Sequence, residues 1–302
     1  MASFAELKNN RKNAIAALTE EVNKLTTKFV SDEDKYWELQ VDKAKNGSAV
    51  IRFLPPVDGE AKPFVRYWEH GFQGPAKGDQ KGMWYIEKSL TTLGQPDPCG
   101  EYNEKLWETG LKTNQEIVRK QKRKLYYVSN IYVVKDPANP DNEGKVFLFK
   151  YGKKIFDKIN DLLNPVFEDV SVVNPFDLWE GANFRLRAMQ KDGYRTYEKS
   201  EFEAPSALLD DDDAMEKIWK SQHSLDAVIA PNQFKTYEIL KARLDKVLRI
   251  NTSDEISSSA AEKPTSKAKF NREDTTPPWQ SDPDPDDDDS ENFFKRIQDD
   301  DE

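Results

Sequence analysis

The sequence predicts a mainly β protein of the α+β class, in which a β-barrel core carries appended helices between a helical N-terminal arm and a disordered acidic C-terminal tail. Short β-prone runs separated by turn residues fill most of positions 36–189. Apolar residues recur at helical spacing on both sides of that region. Because the strands do not alternate with helices one by one, an antiparallel barrel is favoured over a parallel α/β sheet.

The N-terminal arm, residues 1–25, is predicted to be an amphipathic helix. Ser3 and Glu6 form a capping-box pattern, and apolar residues follow at helical spacing as far as Leu25. Three basic side chains stand apart from that apolar pattern: Lys8, Arg11 and Lys12. From the residues alone, the arm is interpreted as a helix that packs on the core of its own chain.

Seven strands and three helices are predicted in the core, residues 26–250. The strand segments are rich in β-branched and aromatic residues, and Gly, Pro, Asn and Asp separate them. The predicted strands are Tyr36–Val41, Ala49–Leu54, Phe64–His70, Met83–Ile86, Leu125–Val134, Val146–Tyr151 and Asn183–Met189. The predicted helices are Lys154–Leu163, Ala214–Gln222 and Pro231–Ile250.

The tail, residues 251–302, has the composition of a disordered segment. Its last 21 residues contain eleven acidic and two basic side chains, which accounts for nine of the ten net negative charges of the chain. One apolar island carries Phe293, Phe294 and Ile297 within this acidic field. We interpret the island either as a docking motif that folds on a partner protein or as a stretch without a function.

Composition and motif content argue against several classes of protein. The chain has no apolar run of bilayer length, and its first residues lack the apolar core of a secretory signal. A single cysteine, Cys99, excludes an intrachain disulfide and fits a reducing compartment. The nucleotide-binding, zinc-protease and serine-hydrolase motifs are missing from the sequence. We therefore expect a soluble protein that stays where it is made and is not an enzyme.

A stretch from Lys112 to Lys158 combines basic and aromatic side chains. It holds twelve Lys and Arg against five Asp and Glu, interleaved with seven Tyr and Phe. A single-stranded nucleic acid needs both kinds of side chain, because phosphates attract cations and unpaired bases stack on flat rings. The stretch therefore predicts a nucleic-acid-binding surface.

Two charged and aromatic strands within this stretch are predicted to form a hairpin. A basic triplet at 122–124 leads into the first strand, and residues 145–154 contain the second. Alternate residues of a strand share a face, so Tyr126 and Tyr127 point to opposite faces. We expect one tyrosine to lie in the core and the other to be exposed as a platform for base stacking.

Four longer sequence motifs are distributed along the chain. They are NGSAVIRFLP at 46–55, WYIE at 84–87, KRKLYYVSNIYVVKDPANPDNEGKVFLFKYGKKIFDKIN at 122–160 and WEGANF at 179–184. In these motifs the chain resembles the helix-destabilising single-stranded DNA-binding proteins of T-even-type phages. The resemblance implies an OB-type barrel with a zinc-bearing subdomain. It also implies cooperative, sequence-independent coating of single strands during DNA replication, recombination and repair.

The resemblance also implies which side chains bind DNA. The basic and aromatic cleft positions of the family match the triplet and Tyr127, and a tyrosine pair of the family matches GYRTY at 193–197. A tryptophan that follows the tyrosine in the family is Val128 here, so Trp107 and Tyr132 are candidate replacements. The predicted DNA-binding residues are Tyr85, Lys122, Arg123, Lys124, Tyr126, Tyr127, Lys145, Lys150, Tyr151, Lys153, Lys154, Tyr194 and Tyr197.

Members of that family hold a structural zinc ion with one His and three Cys. The matched histidine is His70, the first cysteine position is Ser89, and the Cys-x-x-Cys region reads Asp97-Pro-Cys99-Gly. Two candidate ligands, His70 and Cys99, cannot complete a tetrahedral site that needs four N or S donors. We therefore predict that the zinc has been lost, that no cofactor binds, and that Ser89–Gly110 forms a shortened or self-packed loop.

The implied partners are single-stranded DNA, further copies of the chain along the strand, and replication and recombination proteins that bind the tail, but no membrane. The resemblance assigns self-association to the arm, with Lys8, Arg11 and Lys12, and a helix that packs on its own core is the alternative. The implied location is the cytoplasm of an infected bacterial host. Two alternatives remain open from the residues. One is an RNA-binding chaperone with the same barrel chemistry. The other is a nuclease in which Asp210–Asp213 hold Mg²⁺, although an acidic run beside a helix start is typical of a solvated cap.

Overall fold

The computed structural model describes residues 33–250 except 79, 168 and 192. The described residues divide into two units, 33–37 and 38–250. All strands and α-helices below belong to the second unit. The predicted arm helix and the predicted disordered tail lie outside the described residues.

Eight strands form one antiparallel sheet in the described part of the second unit. They are β1 (Gly47–Phe53), β2 (Val65–Gln73), β3 (Trp84–Lys88), β4 (Lys124–Lys135), β5 (Val146–Tyr151), β6 (Phe184–Lys191), β7 (Tyr194–Thr196) and β8 (Glu201–Phe202). Six of the seven predicted strands are thereby confirmed, with small shifts at their ends.

The predicted strand at Tyr36–Val41 is wrong, because residues 37–42 have no regular structure. Strand β1, which follows in the chain, pairs with β4 on one edge and with β6 on the other. The chain instead turns at Asp42, whose carboxylate accepts hydrogen bonds from the backbone N–H groups of Ala44 (2.8 Å) and Asn46 (2.9 Å).

Strand β4 is the spine of the sheet, whose order is β3-β2-β4-β1-β6-β7, with β5 also paired to β4 and β8 to β6. The first residues of β4 pair with β2, its last residues pair with β1, and its centre pairs with β5. Tyr127 lies opposite Tyr151 in the β4–β5 ladder, which confirms the predicted hairpin. The sheet forms a half-barrel.

The two faces of β4 are both covered. The inner face carries Tyr127, Ser129 and Ile131, and the outer face carries the alternate residues. Phe53 of β1 lies at the centre of the inner core, and its ring centroid is 5.6–6.4 Å from five other rings, a spacing typical of packed aromatic pairs. These rings belong to Phe149, Tyr151, Phe176, Phe184 and Phe202.

The α-helices of the described residues are α1 (Pro98–Glu108), α2 (Lys112–Gln121), α3 (Lys153–Leu163), α4 (Asp212–Lys220) and α5 (Tyr237–Leu248). The last three confirm predicted helices, although the helix predicted from Pro231 begins at Tyr237. The predicted loop at Ser89–Gly110 is wrong, because α1 occupies much of it. Asp97 caps this helix and Pro98 occupies its first turn, which are both favourable at a helix start. No helix among the described residues is long and apolar enough to cross a membrane.

Helix α4 and the segment after it pack on the outer face. Met215 of α4 is buried in a cluster with Leu54 and Leu178, and Tyr132 of β4 packs against the same cluster. The Trp219 Nε1–H donates a hydrogen bond to the Pro56 carbonyl at 2.9 Å. The outer face is therefore an internal layer rather than a ligand surface.

Candidate nucleic-acid interface

Tyr127 lies in a stack of aromatic rings on the inner face. Its ring stacks on Phe156 of α3, with centroids 4.0 Å apart and planes at 6°, and on Tyr151 of β5 at 5.7 Å. The Tyr151 hydroxyl in turn shares a 2.9 Å hydrogen bond with Ser129. Only 6% of the Tyr127 surface is exposed. Tyr127 and Tyr151 therefore support the sheet from within and have no free ring face in this structure.

Tyr126, on the outer face, is also buried, with 5% exposed. The Lys150 Nζ lies 4.0 Å from the centroid of its ring and 2.8 Å from a carboxylate oxygen of Glu69. The segment after α4 covers this face: the Asn130 side chain exchanges hydrogen bonds with the backbone of His223 at 2.8 and 2.9 Å. The prediction that one of the two tyrosines is exposed is therefore wrong, because a distant segment of the chain covers the second face.

An accessible cation and an accessible ring meet where β2 and β4 pair. Trp68 of β2 is half-buried and lies opposite Leu125 of β4 on the inner face. The guanidinium carbon of Arg123 lies 4.8 Å from the centroid of the Trp68 ring, within the range of a cation–π contact. The Arg123 Nε is buried and has no hydrogen-bond partner among the described residues. Arg66, exposed and opposite Tyr127, completes a surface that we call the Trp68–Arg123 edge: Arg66, Trp68, Arg123 and Leu125.

The charge of Arg123 is retained at this edge. Burial lowers the pKa of its guanidinium, and the nearby carboxylate of Asp97 acts in the opposite direction. An arginine with a lowered pKa still carries its proton at physiological pH, because the guanidine group is a very strong base. A partly desolvated guanidinium that keeps contact with solvent is a favourable site for a phosphate oxygen.

The register of the β4–β5 hairpin brings two basic segments to the Trp68–Arg123 edge. Tyr127 lies opposite Tyr151, the last residue of β5, and Phe156 of α3 stacks on the Tyr127 ring. The basic triplet therefore lies near the start of α3. Four lysines of these segments are half-buried, so they keep contact with solvent: Lys122, Lys124, Lys153 and Lys154. Of these, Lys124 lies opposite Glu69 and therefore on the outer face of β4. Lys153 also forms an ion pair with Asp157 one turn along α3, with Nζ and Oδ2 2.9 Å apart.

The structure does not bring the remaining predicted residues to this edge. Tyr85 and Tyr197 are buried, with 0% and 1% exposed. Lys145 is exposed but precedes β5 at the far end of the hairpin, about 20 Å along an extended strand from Tyr151. Tyr194 is 60% exposed on β7, three strands away from β4 in the sheet. The predicted self-association residues Lys8, Arg11 and Lys12 and the predicted docking residues Phe293, Phe294 and Ile297 lie outside the described residues.

Residues missing from the sequence prediction are Arg66 and Trp68. A signal for them exists in β2, where exposed or half-buried Arg66 and Trp68 alternate with buried Val65, Tyr67 and Glu69. Alternation alone indicates that Arg66 and Trp68 share a face. Their proximity to Arg123 depends on the pairing of β2 with β4, which joins segments about sixty residues apart in the chain.

The positions that the resemblance assigns to zinc ligands converge in the fold, but their side chains do not fit a zinc ion. His70 Nε2 lies 3.1 Å from Asp97 Oδ1, and the Ser89 hydroxyl donates to Asp97 Oδ2 at 2.9 Å. Burial raises the pKa of the Asp97 carboxyl, but the hydrogen bond and charge of His70, with further donors, hold it well below its usual range. Among the described residues, no three His, Cys, Asp or Glu side chains are arranged to hold a metal.

Comparison with known proteins gives one consistent family. The family described as "gp32 DNA binding protein like" matches residues 45–248. The chain is 37% identical over 265 residues to the "Single-stranded DNA-binding protein" of Enterobacteria phage T4, which covers 84% of each chain. It is also 37% identical over 245 residues to the protein of that name from Enterobacteria phage T2, over 78% of this chain and 77% of the relative. A shorter match, 42% identical over 71 residues, covers 24% of this chain and 58% of the "Single-stranded DNA-binding protein" of Escherichia phage SV14. The chain therefore belongs to the gp32-like DNA-binding protein family.

Proposed function

We propose that this protein binds single-stranded DNA without regard to sequence, through the Trp68–Arg123 edge and the lysines beside it. The observation that carries the proposal is the half-buried Arg123, whose guanidinium carbon lies 4.8 Å from the centroid of the Trp68 ring. The relatives from phages T4 and T2 are single-stranded DNA-binding proteins, which supports the choice of ligand.

The chemistry of the edge suits a single strand in two ways. Arg66 and Arg123, with the flanking lysines, supply positive charge for successive phosphates, and the Trp68 ring supplies a flat face for an unpaired base. Bases in a duplex are already stacked on each other, so they gain nothing from Trp68. The preference for single strands follows from this difference, and so does the lack of sequence preference, because every base has a π-face.

The predicted tyrosines have a supporting function in this proposal. Tyr127 and Tyr151 fix the hairpin that carries the triplet, and Phe156 links the stack to α3. Lys150 neutralises Glu69 on the outer face rather than contacting phosphate. Tyr194, with its exposed ring, is a separate contact for a strand that continues past the edge.

We also propose the domain arrangement and the finer functional assignments. Residues 26–250 form an OB-type core, residues 1–25 form a self-association arm that makes binding cooperative, and residues 251–302 form an interaction tail. The protein then coats single strands during phage DNA replication, recombination and repair in the cytoplasm of the host, and it acts as a binding protein rather than an enzyme. Family membership supports these assignments.

The arm is tested by deleting residues 1–25. We expect cooperativity on a long strand to fall, while affinity for an oligonucleotide that holds one protein stays nearly the same. The measurement is a pair of titrations, one with a long and one with a short oligonucleotide. Equal cooperativity in the full and the shortened chain would refute the self-association function.

The tail is proposed to compete with DNA for the basic edge. Its last 21 residues carry eleven acids and two bases, so at low salt they are attracted to the same cations as a phosphate backbone. A chain that ends before Asn251 should bind single-stranded DNA more tightly, with the largest gain at low salt. An unchanged affinity at low salt would end the proposal of competition.

The proposed function as a whole is tested by titrating the protein with single-stranded DNA, RNA and duplex DNA of matched length. We expect tight binding of single-stranded DNA, weak binding of the duplex, and a log–log salt dependence with a slope of about −0.7 for each phosphate contacted. Preferential binding of RNA would replace the proposal by an RNA chaperone. Degradation of the DNA in the presence of Mg²⁺ or Mn²⁺ would replace it by a nuclease.

A further inference from the structure

A buried carboxylate, Asp97, joins separate segments of the chain. Only 3% of the residue is exposed. Its Oδ1 accepts hydrogen bonds from the backbone N–H groups of Cys99 (3.1 Å) and Gly100 (3.0 Å) and from His70 Nε2 (3.1 Å). Its Oδ2 accepts from the Ser89 hydroxyl (2.9 Å) and from the backbone N–H of Leu90 (3.1 Å). Five donors therefore occupy the lone pairs of one carboxylate.

His70 extends this network to the end of α2. Its Nδ1 lies 3.0 Å from the carbonyl oxygen of Gln121, which only accepts hydrogen bonds, so Nδ1 carries a proton. The Asn103 side chain donates to the same carbonyl at 3.3 Å. Gln121 is the last residue of α2, and the basic triplet follows it directly. The Asp97 network therefore fixes the point from which Lys122 and Arg123 reach the interface.

The arrangement has the connectivity of a structural metal site but not its chemistry. Four segments meet at Asp97: strand β2, the chain after β3, the start of α1 and, through His70, the end of α2. A zinc ion needs four ligands with free lone pairs. Here the Asp97 carboxylate already accepts five hydrogen bonds. The His70 Nδ1–H donates to the Gln121 carbonyl, and Ser89 has a hydroxyl at a position where the family has a cysteine. A metal ion could bind these side chains only if their present hydrogen bonds were broken.

We propose that Asp97 replaces a structural metal in this protein: its hydrogen-bond network holds β2, α1 and α2 together without zinc and positions the basic triplet for DNA. Asp97 is a positioning residue, since it acts through His70 and Gln121 rather than by touching DNA. The part of this inference that concerns DNA rests on the proposed function, whereas the part that concerns the fold does not.

The first test measures metal content and thermal unfolding of the unmodified protein. We expect no stoichiometric zinc by atomic emission after purification in metal-replete medium, and the same Tm with and without EDTA. One zinc per chain, or a Tm that falls with EDTA, would overturn the proposal. Neither readout depends on DNA binding, so failure of the proposed function would leave this test intact.

The second test breaks the network with Asp97→Asn. The side-chain amide of asparagine has an NH2 group in place of one carboxylate oxygen. That NH2 group would face N–H or O–H groups that need an acceptor, so their hydrogen bonds would be lost. We expect Tm to fall by roughly 10 °C and affinity for single-stranded DNA to fall severalfold at temperatures where the variant is still folded. The matched control is Met215→Ala, which empties a buried position on α4 and should lower Tm without changing the affinity. Equal affinity losses in the two variants would refute the positioning function.

The third test converts the site with the double substitution S89C/D97C. Together with His70 and Cys99, the two new thiols supply one imidazole and three thiolates, which is a complete zinc donor set. We expect the double variant to bind one zinc, to gain Tm on addition of zinc, and to recover DNA affinity only in the presence of zinc. A folded double variant that takes up no zinc would contradict the convergence of these four positions.

Discussion

Replacing Arg123 by alanine should weaken binding of single-stranded DNA by about 10- to 100-fold. A hydrogen bond from a charged group contributes about 1.5–3 kcal/mol net, which corresponds to this range of affinity. The guanidinium is held in place before DNA binds, because it lies 4.8 Å from the Trp68 ring centroid and is partly buried. Little side-chain entropy is therefore lost when a phosphate oxygen binds the solvent-facing part of the guanidinium. The slope of log affinity against log salt should also become shallower by about 0.7, since one phosphate contact is removed.

The assay is fluorescence anisotropy of a labelled oligonucleotide over a series of NaCl concentrations. Lys220→Ala is the matched control, because it also removes one positive charge. Lys220 lies on α4, which packs on the outer face, and it forms an ion pair with exposed Glu216. Thermal unfolding of both variants separates lost binding from lost folding. An Arg123→Ala protein with the salt slope and affinity of Lys220→Ala would refute the assignment of a phosphate to Arg123.

Two further substitutions divide the aromatic residues by function. Trp68→Ala should lower affinity for single-stranded DNA about tenfold and Trp68→Phe much less, because one stacked base contributes roughly 1–3 kcal/mol; equal losses in the same anisotropy titration would contradict stacking. Tyr127→Ala should lower the unfolding free energy by about 3–5 kcal/mol, because it removes the centre of a buried stack. Urea denaturation measures that loss, and Tyr127→Phe, which keeps the ring, is the control. If Tyr127→Ala were as stable as Tyr127→Phe, the stack would not support the core.

The β4–β5 hairpin, which carries the basic triplet, was predictable from local sequence patterns. Residues 125–134 and 146–151 have β-prone compositions with turn residues between them, and a hairpin joins neighbours in the chain. Their alternation also indicated correctly that Tyr126 and Tyr127 face opposite sides. These features depend on residues within one or two strands, so the sequence pattern contains them.

What covers each face was not predictable from the same pattern. Asn130, on the same face as Tyr126, is covered because the chain near His223 returns to it, 93 positions away in sequence. Trp68 joins Arg123 through strand pairing between distant segments. Such contacts depend on the whole topology, which a local pattern of charge and hydrophobicity does not specify.

Helix α1 was missed for a different reason. Its start carries strong local signals, with Asp97 as the N-cap and Pro98 in the first turn. The prediction for Ser89–Gly110 depends instead on the missing zinc ligands. A segment that no longer binds the metal is expected to be a shortened or self-packed loop. The structure has a capped helix there because the carboxylate that caps α1 also binds His70, so one residue provides both the helix start and the link to β2.

The account is tested most directly by mapping where DNA touches the protein. Single-stranded DNA that contains 5-iodouracil, which crosslinks to nearby aromatic side chains on irradiation, would be bound to the full chain, and the crosslinked peptides would be identified by mass spectrometry. The account predicts that the dominant crosslink falls on Trp68, and that it is lost in Arg123→Ala at the same DNA concentration. Crosslinks confined to the chain around α4, on the outer face, with none on Trp68, would contradict it.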